Sequence, residues 1–373
     1  MPDGADFRAP APGMLGRARC WRDRTLANPR FRDWATRFPL TRPLARRRMR
    51  ALFDLCAGFV YAQVLHACID LRVFEILAAG PLDTAALASR LNLPLDRAER
   101  LLAAAASLRL LTRRAGGYGL GPLGAATVGN PAVTEMVRHH ALLYADLADP
   151  VALLRAPPGH TRLASYWGYG HAAEPASLPA ANVADYTALM AASQAMVAAQ
   201  VLDAYDLRAH RCLLDVGGGN GAFLRAAAAR APSLRLMLFD LPSVVATATV
   251  PATVPATLVG GDMHRDPWPT GADCLSLIRV VHDHDDERAL AILRAAHRAL
   301  PRGGTLLLSE PMAQTPGAEP VEAYFALYLL ALGSGRLRSA GELRRMLADA
   351  GFRRTELRPT AAPLVASVIV ARA

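Results

Sequence analysis

The strongest constraint on the fold is an apolar segment that runs directly into a cluster of glycines. Residues 213–221 read Leu-Leu-Asp-Val-Gly-Gly-Gly-Asn-Gly, and a helical pattern follows at once. Glycine permits positive φ and a close approach of the backbone to a ligand, so we predict a ligand-binding turn between a strand and a helix. The glycine spacing is G-x-G-x-G, whereas the dinucleotide fingerprint is G-x-G-x-x-G. This spacing disfavours a nicotinamide-dependent oxidoreductase.

Residues 182–207 have a helical pattern, and after them the sequence alternates between short apolar segments and helical patterns. We predict strands over 211–216, 234–239, 257–261, 274–280, 304–310 and 365–371. We predict helices over 221–230, 242–248, 285–300 and 339–350. This alternation predicts an α/β fold with a mostly parallel, doubly wound, Rossmann-like sheet. The predicted divisions are a flexible basic arm over 1–30, a winged-helix-like dimerisation domain over 31–155, a linker over 156–181 and the α/β domain over 182–373.

Acidic residues stand at the ends of three successive predicted strands. Asp215 precedes the first glycine by two residues, where it suits the α-ammonium of a methionine moiety and would repel a pyrophosphate. Asp240, followed by Leu241, ends the next strand, where a carboxylate accepts hydrogen bonds from ribose hydroxyls. Asp262 ends the third strand and suits an adenine amino group, while Met263 suits the face of the ring. Three such positions in order favour a cofactor of this type over ordinary turn residues.

The segment 82–122 has the pattern of a winged helix, in which two short helices precede a hairpin tip at Gly116–Gly117. This fold serves either DNA binding or a role in dimerisation or substrate capping. The second helix, over 97–108, contains no Asn, Gln or Lys that would read base edges, so we favour dimerisation and expect no nucleic-acid partner. Because residues 31–110 carry more apolar surface than one small domain buries, we expect a homodimer.

Positive charge is concentrated at the N-terminus, where residues 1–50 hold 13 Arg against 4 Asp. This charge suits either an anionic membrane surface or a solvated face. The apolar segment 51–69 contains Asp54, Gln63 and His66, so we predict a buried amphipathic helix rather than a membrane span. The five cysteines form no C-x-x-C pair, which predicts no metal site and a reducing cytoplasm.

Several motifs carry a resemblance to a known family. They are LLDVGGGNG at 213–221, FDLPSVV at 239–245, GGDM at 260–263, RVVHDHDDE at 279–287, SEPM at 309–312 and AGF at 350–352. In these motifs the chain resembles the plant-type O-methyltransferases, which include the caffeate and acetylserotonin enzymes. The N-terminal run from WRDR at 21–24 to ALFDLCAGFVYAQVL at 51–65, with YADLADPVALLR at 144–155, is similar to the bacterial hydroxyneurosporene (demethylspheroidene) O-methyltransferases of carotenoid synthesis.

The resemblance implies S-adenosylmethionine as the cofactor and a class I methyltransferase sheet behind a winged-helix dimerisation domain. It implies cofactor contacts at Asp215, Gly217, Gly219, Asp240, Leu241, Asp262, Met263 and Arg279. It implies His282 as the catalytic base, with Asp283 beside it and Glu310 orienting it. The chain departs from the family pattern where Ile278 replaces the usual Lys and where Leu337 replaces a second orienting Glu.

The resemblance further implies a small hydrophobic alcohol as acceptor, namely the tertiary 1-hydroxyl of an acyclic carotenoid. A phenolic or indolic acceptor stays as an alternative, and so does a winged-helix transcription regulator with a degenerate cofactor domain. The predicted pocket walls are Tyr186, Met190, Ser193, Met312 and the apolar segment 321–332. The predicted location is the cytoplasm, with peripheral contact at the inner or photosynthetic membrane.

Overall fold

The computed structural model describes residues 14–166 and 181–373, with the backbone alone for 181–189 and 192. The chain forms two compact units, Met1–Pro122 and Leu123–Ala373. The first unit begins with the helices α1 (Met14–Ala27), α2 (Pro29–Arg37), α3 (Arg42–Asp70) and α4 (Val73–Ala78). Asn28 caps α2 by accepting a hydrogen bond from the N–H of Arg30. The prediction of a flexible arm over 1–30 is wrong for residues 14–27, which form α1. Residues 1–13 lie outside the described residues.

Helix α3 is long and mostly exposed. Of its 29 residues only Cys68 and Ile69 are buried, while Phe53 and Phe59 are 63% and 70% exposed. The predicted burial of segment 51–69 is wrong within one copy of the chain, because only Cys68 and Ile69, at the C-terminal end of the helix, are buried in its own unit. Among the described helices, α3 alone has the length and apolar composition that a membrane crossing would need.

A winged helix follows and confirms the prediction from the sequence. It consists of α5 (Thr84–Leu91), α6 (Leu95–Ser107) and a hairpin of β1 (Leu111–Arg114) and β2 (Gly117–Leu120). Asp83 caps α5 by accepting a hydrogen bond from the N–H of Ala86 at 2.7 Å. Position 117 requires glycine, because a Cβ there would lie 2.0 Å from the carbonyl oxygen of Leu82.

Five helices lead from the winged helix to the sheet of the second unit. They are α7 (Pro122–Ala125), α8 (Pro131–Asp146), α9 (Pro150–Arg155), α10 (Arg162–Tyr166) and α11 (Ala181–Ala204). Helix α10 lies inside the predicted linker 156–181, of which 167–180 falls outside the described residues. The carboxylate of Asp146 accepts the N–H groups of Arg162 and Leu163, both at 2.9 Å, and so fixes the start of α10 to the end of α8.

A seven-stranded sheet forms the core of the second unit and confirms the predicted α/β class. Its strands are β3 (Cys212–Val216), β4 (Arg235–Asp240), β5 (Ala256–Gly260), β6 (Cys274–Ile278), β7 (Thr305–Glu310), β8 (Arg354–Arg358) and β9 (Ser367–Arg372). Their order is β5-β4-β3-β6-β7-β9-β8, in which β9 runs antiparallel to both neighbours and the other four pairings are parallel. The strand order reverses between β3 and β6, which is where open α/β sheets bind ligands.

Helices cover both faces of this sheet. They are α11 and α12 (Ala222–Arg230), α13 (Pro242–Val245), α14 (Asp286–Ala299) and α16 (Ala340–Asp349), whereas α15 (Glu319–Leu332) packs in a separate cluster with α8, α9 and α10. Successive side chains of a strand point to opposite faces. Leu214 and Leu306 therefore pack in one core with Leu347 of α16, whereas Leu213 and Leu307 pack in a second core with α12. Burial on both faces explains why these strands read as continuous apolar runs in the sequence.

Candidate active site

The glycine turn lies at the carboxyl end of β3. Gly217 and Gly219 adopt φ angles of 67° and 59°, which favour glycine. A Cβ on Gly217 would lie 2.9 Å from Cγ2 of Val280, and a Cβ on Gly218 would lie 2.3 Å from Oδ2 of Asp215. Conformation and close packing both require glycine here, so the turn presents bare backbone beside the Asp215 carboxylate.

Asp215 is buried at the end of β3 with one of its two carboxylate oxygens unsatisfied. The hydroxyl of Ser276, on the neighbouring strand, donates to Oδ1 at 2.6 Å. Oδ2 is buried without a hydrogen-bond partner among the described residues. Burial raises the pKa of Asp215 to about 7, with the Ser276 hydrogen bond opposing and the charge of Asp240 adding to the shift. A buried carboxylate oxygen of this kind fits a cationic ligand group such as an ammonium.

Asp240 joins the end of β4 to the glycine turn. Its Oδ2 accepts the N–H of Gly219 at 2.8 Å, and its Oδ1 accepts the N–H of Leu241 at 2.7 Å. Burial raises the pKa of Asp240 to about 6, against the two backbone hydrogen bonds, which stabilise the ionised form. A carboxylate oxygen has more than one acceptor position, so each oxygen can also accept a ligand hydroxyl.

Asp262 and Met263 follow β5 and reach the same edge of the sheet. The buried carboxylate of Asp262 accepts the N–H of His264 at 2.8 Å. The methyl carbon of Met263 lies 3.3 Å from the position that a Cβ on Gly217 would take. The structure thus brings Met263 and the carboxylates of Asp215 and Asp240 together around the glycine turn.

His282 lies in the turn that follows β6, between two carboxylates. Its Nδ1 is 2.5 Å from Oε2 of Glu310, which ends β7. The other oxygen of Glu310 accepts the N–H groups of Val280 and Val281 at 3.0 and 2.7 Å. Nε2 of His282 lies 3.2 Å from Oδ1 of Asp283. With Nδ1 donating to Glu310, Nε2 is the nitrogen that can accept a proton.

The two carboxylates change the acid–base behaviour of His282. Burial alone would lower the pKa of His282, but the negative charges of Asp283 and Glu310 outweigh burial and hold it above its usual value of 6.5. Leu337, at the position where the resemblance implies a second orienting Glu, packs in an apolar cluster with α8 and α15. The second carboxylate beside this imidazole is therefore Asp283, the next residue in the chain.

Arg279 lies on the side of the predicted acceptor walls. It adopts φ of 61°, a value that is uncommon outside glycine and concentrated at functional sites. Its guanidinium donates to Oγ of Ser193 at 2.6 Å and lies 2.9 Å from Sδ of Met190, both on α11. These contacts favour a role for Arg279 at the acceptor pocket over the cofactor contact that the resemblance implies.

The structure does not place the other two predicted wall residues beside Arg279. Met312 is buried in the core beside β7, and the side chain of Tyr186 lies outside the described part of the chain.

Helix α15 supplies an aromatic wall next to His282. The ring of Phe325 meets the imidazole edge to face, with 5.6 Å between the centroids. Tyr324 packs against Phe325 at 5.1 Å, and its hydroxyl lies 2.9 Å from Nε2 of His140 on α8. The predicted wall segment 321–332 therefore reaches the candidate base.

Two polar contacts of the site escape reasoning from the sequence. Ser276 lies in the middle of an apolar strand and gives no sign of its bond to Asp215. Arg338 precedes the Ser339 cap of α16, a position that reads as surface, yet its guanidinium is buried and donates to the carbonyls of Val281 and His284 at 2.9 and 2.8 Å.

Two protein families match most of the chain. Residues 144–353 match the O-methyltransferase domain, and residues 53–130 match the O-methyltransferase dimerisation domain. The first match confirms the predicted reaction class. The second supports the predicted homodimer and favours dimerisation over DNA binding as the role of the winged helix.

Individual proteins of this family are similar over most of the chain. Demethylspheroidene O-methyltransferase of Cereibacter sphaeroides is 42% identical and covers 98% of this chain and 97% of its own. Acetylserotonin O-methyltransferase of Mus musculus is 35% identical, covering 85% of this chain and 87% of its own. The crystal structure of human N-acetylserotonin methyltransferase with S-adenosylmethionine is 27% identical, with a TM-score of 0.73, covering 87% of this chain and 97% of that one.

We expect the affinity for S-adenosylmethionine to rise with pH, because its ammonium group would pair with an ionised Asp215. The pKa of Asp215 is raised to about 7, so at lower pH binding must first release a proton. The pKa of Asp240 is raised to about 6, so the affinity should continue to fall as the pH drops below 6. Calorimetric titrations on both sides of pH 7, in buffers of different ionisation enthalpy, measure the dissociation constant and the protons released.

Asp215→Asn should weaken binding by about 1.5–3 kcal/mol, the scale of a charged hydrogen bond, and remove most of the pH dependence. Asp203→Asn is the matched control, because Asp203 is exposed and paired with Arg230 on the surface. A wild-type dissociation constant that stays flat across this pH range would contradict the role of Asp215.

Proposed function

Because the chain belongs to the O-methyltransferase family and uses S-adenosylmethionine as its cofactor, we propose that it methylates the terminal tertiary hydroxyl of an acyclic carotenoid, as in hydroxyneurosporene or demethylspheroidene. The observation that carries this proposal is the similarity, over nearly the whole chain, to demethylspheroidene O-methyltransferases of two bacteria. The walls beside the base support a hydrophobic acceptor, because Met190, Tyr324 and Phe325 offer apolar and aromatic surface. Arg279 lies among them but is engaged by Ser193.

The cofactor supplies an electrophilic methyl group on a sulfonium, which is already a good leaving group. We assign the ammonium group to Asp215, whose second oxygen thereby gains a partner. Asp240 would accept hydrogen bonds from ribose hydroxyls while its existing bonds to the backbone hold it in place. Asp262 would accept a hydrogen bond from the adenine amino group, and Met263 would cover the ring. The bare backbone of the glycine turn permits the close approach that these contacts require.

His282 accepts the proton of the acceptor hydroxyl at Nε2. When bound, the cofactor would supply its methyl group to the acceptor oxygen with loss of the sulfonium C–S bond, and the hydroxyl proton would pass to the imidazole of His282. Glu310 fixes the tautomer through Nδ1, and Asp283 stabilises the positive charge that the imidazole acquires. A tertiary alcohol is far too weak an acid for an imidazole to ionise beforehand, so the proton leaves during or after methyl transfer. Alignment of acceptor and base therefore supplies much of the rate.

His282→Ala should lower turnover by roughly 10²–10⁴, the usual range for loss of a general base, while affinity for S-adenosylmethionine is kept. In the wild type, turnover should fall as pH drops through the pKa of His282, because the base must be neutral. Since that pKa is raised, the acid limb of the pH–rate profile should lie above pH 6.5. His160→Ala, at an exposed histidine, is the control. Turnover of His282→Ala within a few-fold of the wild type would show that alignment alone is enough.

The acceptor proposal is tested with a panel of detergent-solubilised compounds and labelled S-adenosylmethionine. The panel holds an acyclic carotenoid with a tertiary hydroxyl, the same polyene without the hydroxyl, a catechol and an N-acylated hydroxyindole. We expect the hydroxycarotenoid to give the highest kcat/KM and the polyene without the hydroxyl to give no product. If the catechol or the indole is methylated faster, the acceptor proposal fails while the reaction class stands.

A carotenoid acceptor resides in membrane, so we further propose that the N-terminal helices contact an anionic bilayer at the cytoplasmic face of the inner or photosynthetic membrane. Arg46, Arg47 and Arg48 are exposed at the start of α3, immediately before its exposed apolar residues. Trp21 of α1 and Trp34 of α2 are 71% and 49% exposed. Arginine attracts anionic headgroups, and tryptophan concentrates at the membrane interface, so this surface carries both features of a peripheral membrane contact.

Replacing Arg46, Arg47 and Arg48 with Gln should weaken binding to anionic vesicles at low salt. Each basic residue contributes about 1 kcal/mol of attraction, so the triple variant should lose roughly 10²-fold in affinity. Turnover of vesicle-embedded acceptor should fall with it, while turnover of detergent-solubilised acceptor is kept. The control replaces the exposed Arg294, Arg298 and Arg302, which changes the charge equally. A wild type that does not bind phosphatidylglycerol vesicles would contradict the proposal.

A further inference from the structure

The turn that carries His282 is held by a second segment, Ser334–Arg338, which joins α15 to α16. Four consecutive carbonyls of the turn accept hydrogen bonds from this segment. They are Val281 O from Nη1 of Arg338 at 2.9 Å, His282 O from the N–H of Arg336 at 2.9 Å, Asp283 O from Oγ of Ser334 at 2.6 Å and His284 O from Nη2 of Arg338 at 2.8 Å. The segment therefore holds the acceptor side of the backbone along the whole turn.

Arg338 makes the central contribution to this arrangement. It is 2% exposed and is among the largest fully buried side chains in the described chain. Besides the two carbonyls, its Nε and Nη2 donate to Oδ1 of Asp286 at 2.9 and 2.7 Å. A buried guanidinium is destabilising unless its donors have partners, and here they are directed at the turn and at the first residue of α14. The position of Arg338 is thus strongly specified.

Both ends of the holding segment are fixed in the fold. Gly333, with φ of 88°, ends α15, and a capping box between Ser339 and Glu342 begins α16. Gly335 lies so close to the turn that a Cβ would be 2.2 Å from the carbonyl oxygen of His282. The segment is therefore anchored by a helix end on each side and packs closely against the turn between them.

We propose that Arg338 is a positioning residue for methyl transfer, which acts by holding the 281–284 turn so that Nε2 of His282 faces the acceptor. Glu310 fixes the N–H groups that precede His282, and Arg338 fixes the carbonyls on both sides of it. This inference rests on the proposed base role of His282, because Arg338 itself touches no reacting atom.

The test is a double-mutant cycle between Arg338 and His282. Arg338→Met should lower kcat by about 10²-fold, the scale expected for a misplacement of about 1 Å, with the dissociation constant of S-adenosylmethionine unchanged. In the His282→Ala background the same substitution should cause no further loss, because the group that Arg338 positions is gone. Arg338→Lys, which keeps the charge and some donors, should recover part of the activity.

Ser334→Ala provides an independent variant that leaves the buried charge in place. It removes one uncharged donor and should lower kcat by about 2- to 10-fold, again only when His282 is present. Arg344→Met is the matched control, because Arg344 donates to Thr355 in the same unit and makes no bond to the turn. The positioning role is overturned if Arg338→Met and Ser334→Ala each lower kcat by the same factor in the His282→Ala background as in the wild type. Failure of the proposed base appears separately, as His282→Ala alone leaving turnover intact.

Discussion

The carboxylate of Glu310 is the interaction on which the arrangement of the site depends. It ends β7, next to β6, so it meets the turn after β6 without any intervening loop. One oxygen binds two backbone N–H groups of that turn and the other binds His282. A buried carboxylate is destabilising unless such donors surround it, so the strand, the turn and the imidazole stabilise one another. Loss of the Glu310 carboxylate would leave two backbone N–H groups and the imidazole without this partner, and loss of the imidazole would leave a carboxylate oxygen without one.

The buried carboxylates around the glycine turn differ from Glu310 in how fully the protein occupies their oxygens. Glu310 has every oxygen occupied by the protein, whereas Asp215 keeps one buried oxygen without a partner among the described residues. Burial raises the pKa of Asp215, because it favours the neutral form of the carboxyl group while no cation lies beside it. Asp240 lies between these cases, since backbone N–H groups hold it while further acceptor positions remain. The protein thus occupies both oxygens of the carboxylate at the end of β7, whereas the carboxylate at the end of β3 keeps an unsatisfied oxygen, which we propose binds the ligand.

Features that depend on local pattern were predictable from the sequence, and features that depend on distant contacts were not. The glycine turn, the buried strands and the acidic residues at or just beyond the ends of β3, β4 and β5 all follow from neighbouring residues, and the fold agrees with them. Strand β8 was missed because Arg354–Arg358 is mostly charged and pairs at the sheet edge. The exposure of α3 was missed because apolar content does not distinguish burial within a chain from burial by another surface. Arg338 binds a residue 57 positions away, and no periodicity marks such a pair.

The chemistry of the proposed acceptor explains why the turn needs support on both edges of its backbone. Raising the pKa of His282 makes the imidazole a stronger base, but it also increases the protonated fraction near neutral pH, so base strength alone gives a limited advantage. A weakly acidic alcohol then requires that oxygen, methyl group and Nε2 be aligned at the moment of transfer. A turn can expose a side chain to a pocket better than a strand does, but it lacks the regular hydrogen bonds between strands that fix a strand in place. Glu310 fixes the N–H groups of this turn and Ser334–Arg338 fixes its carbonyls, so the turn acquires from its neighbours the rigidity that regular secondary structure would otherwise supply.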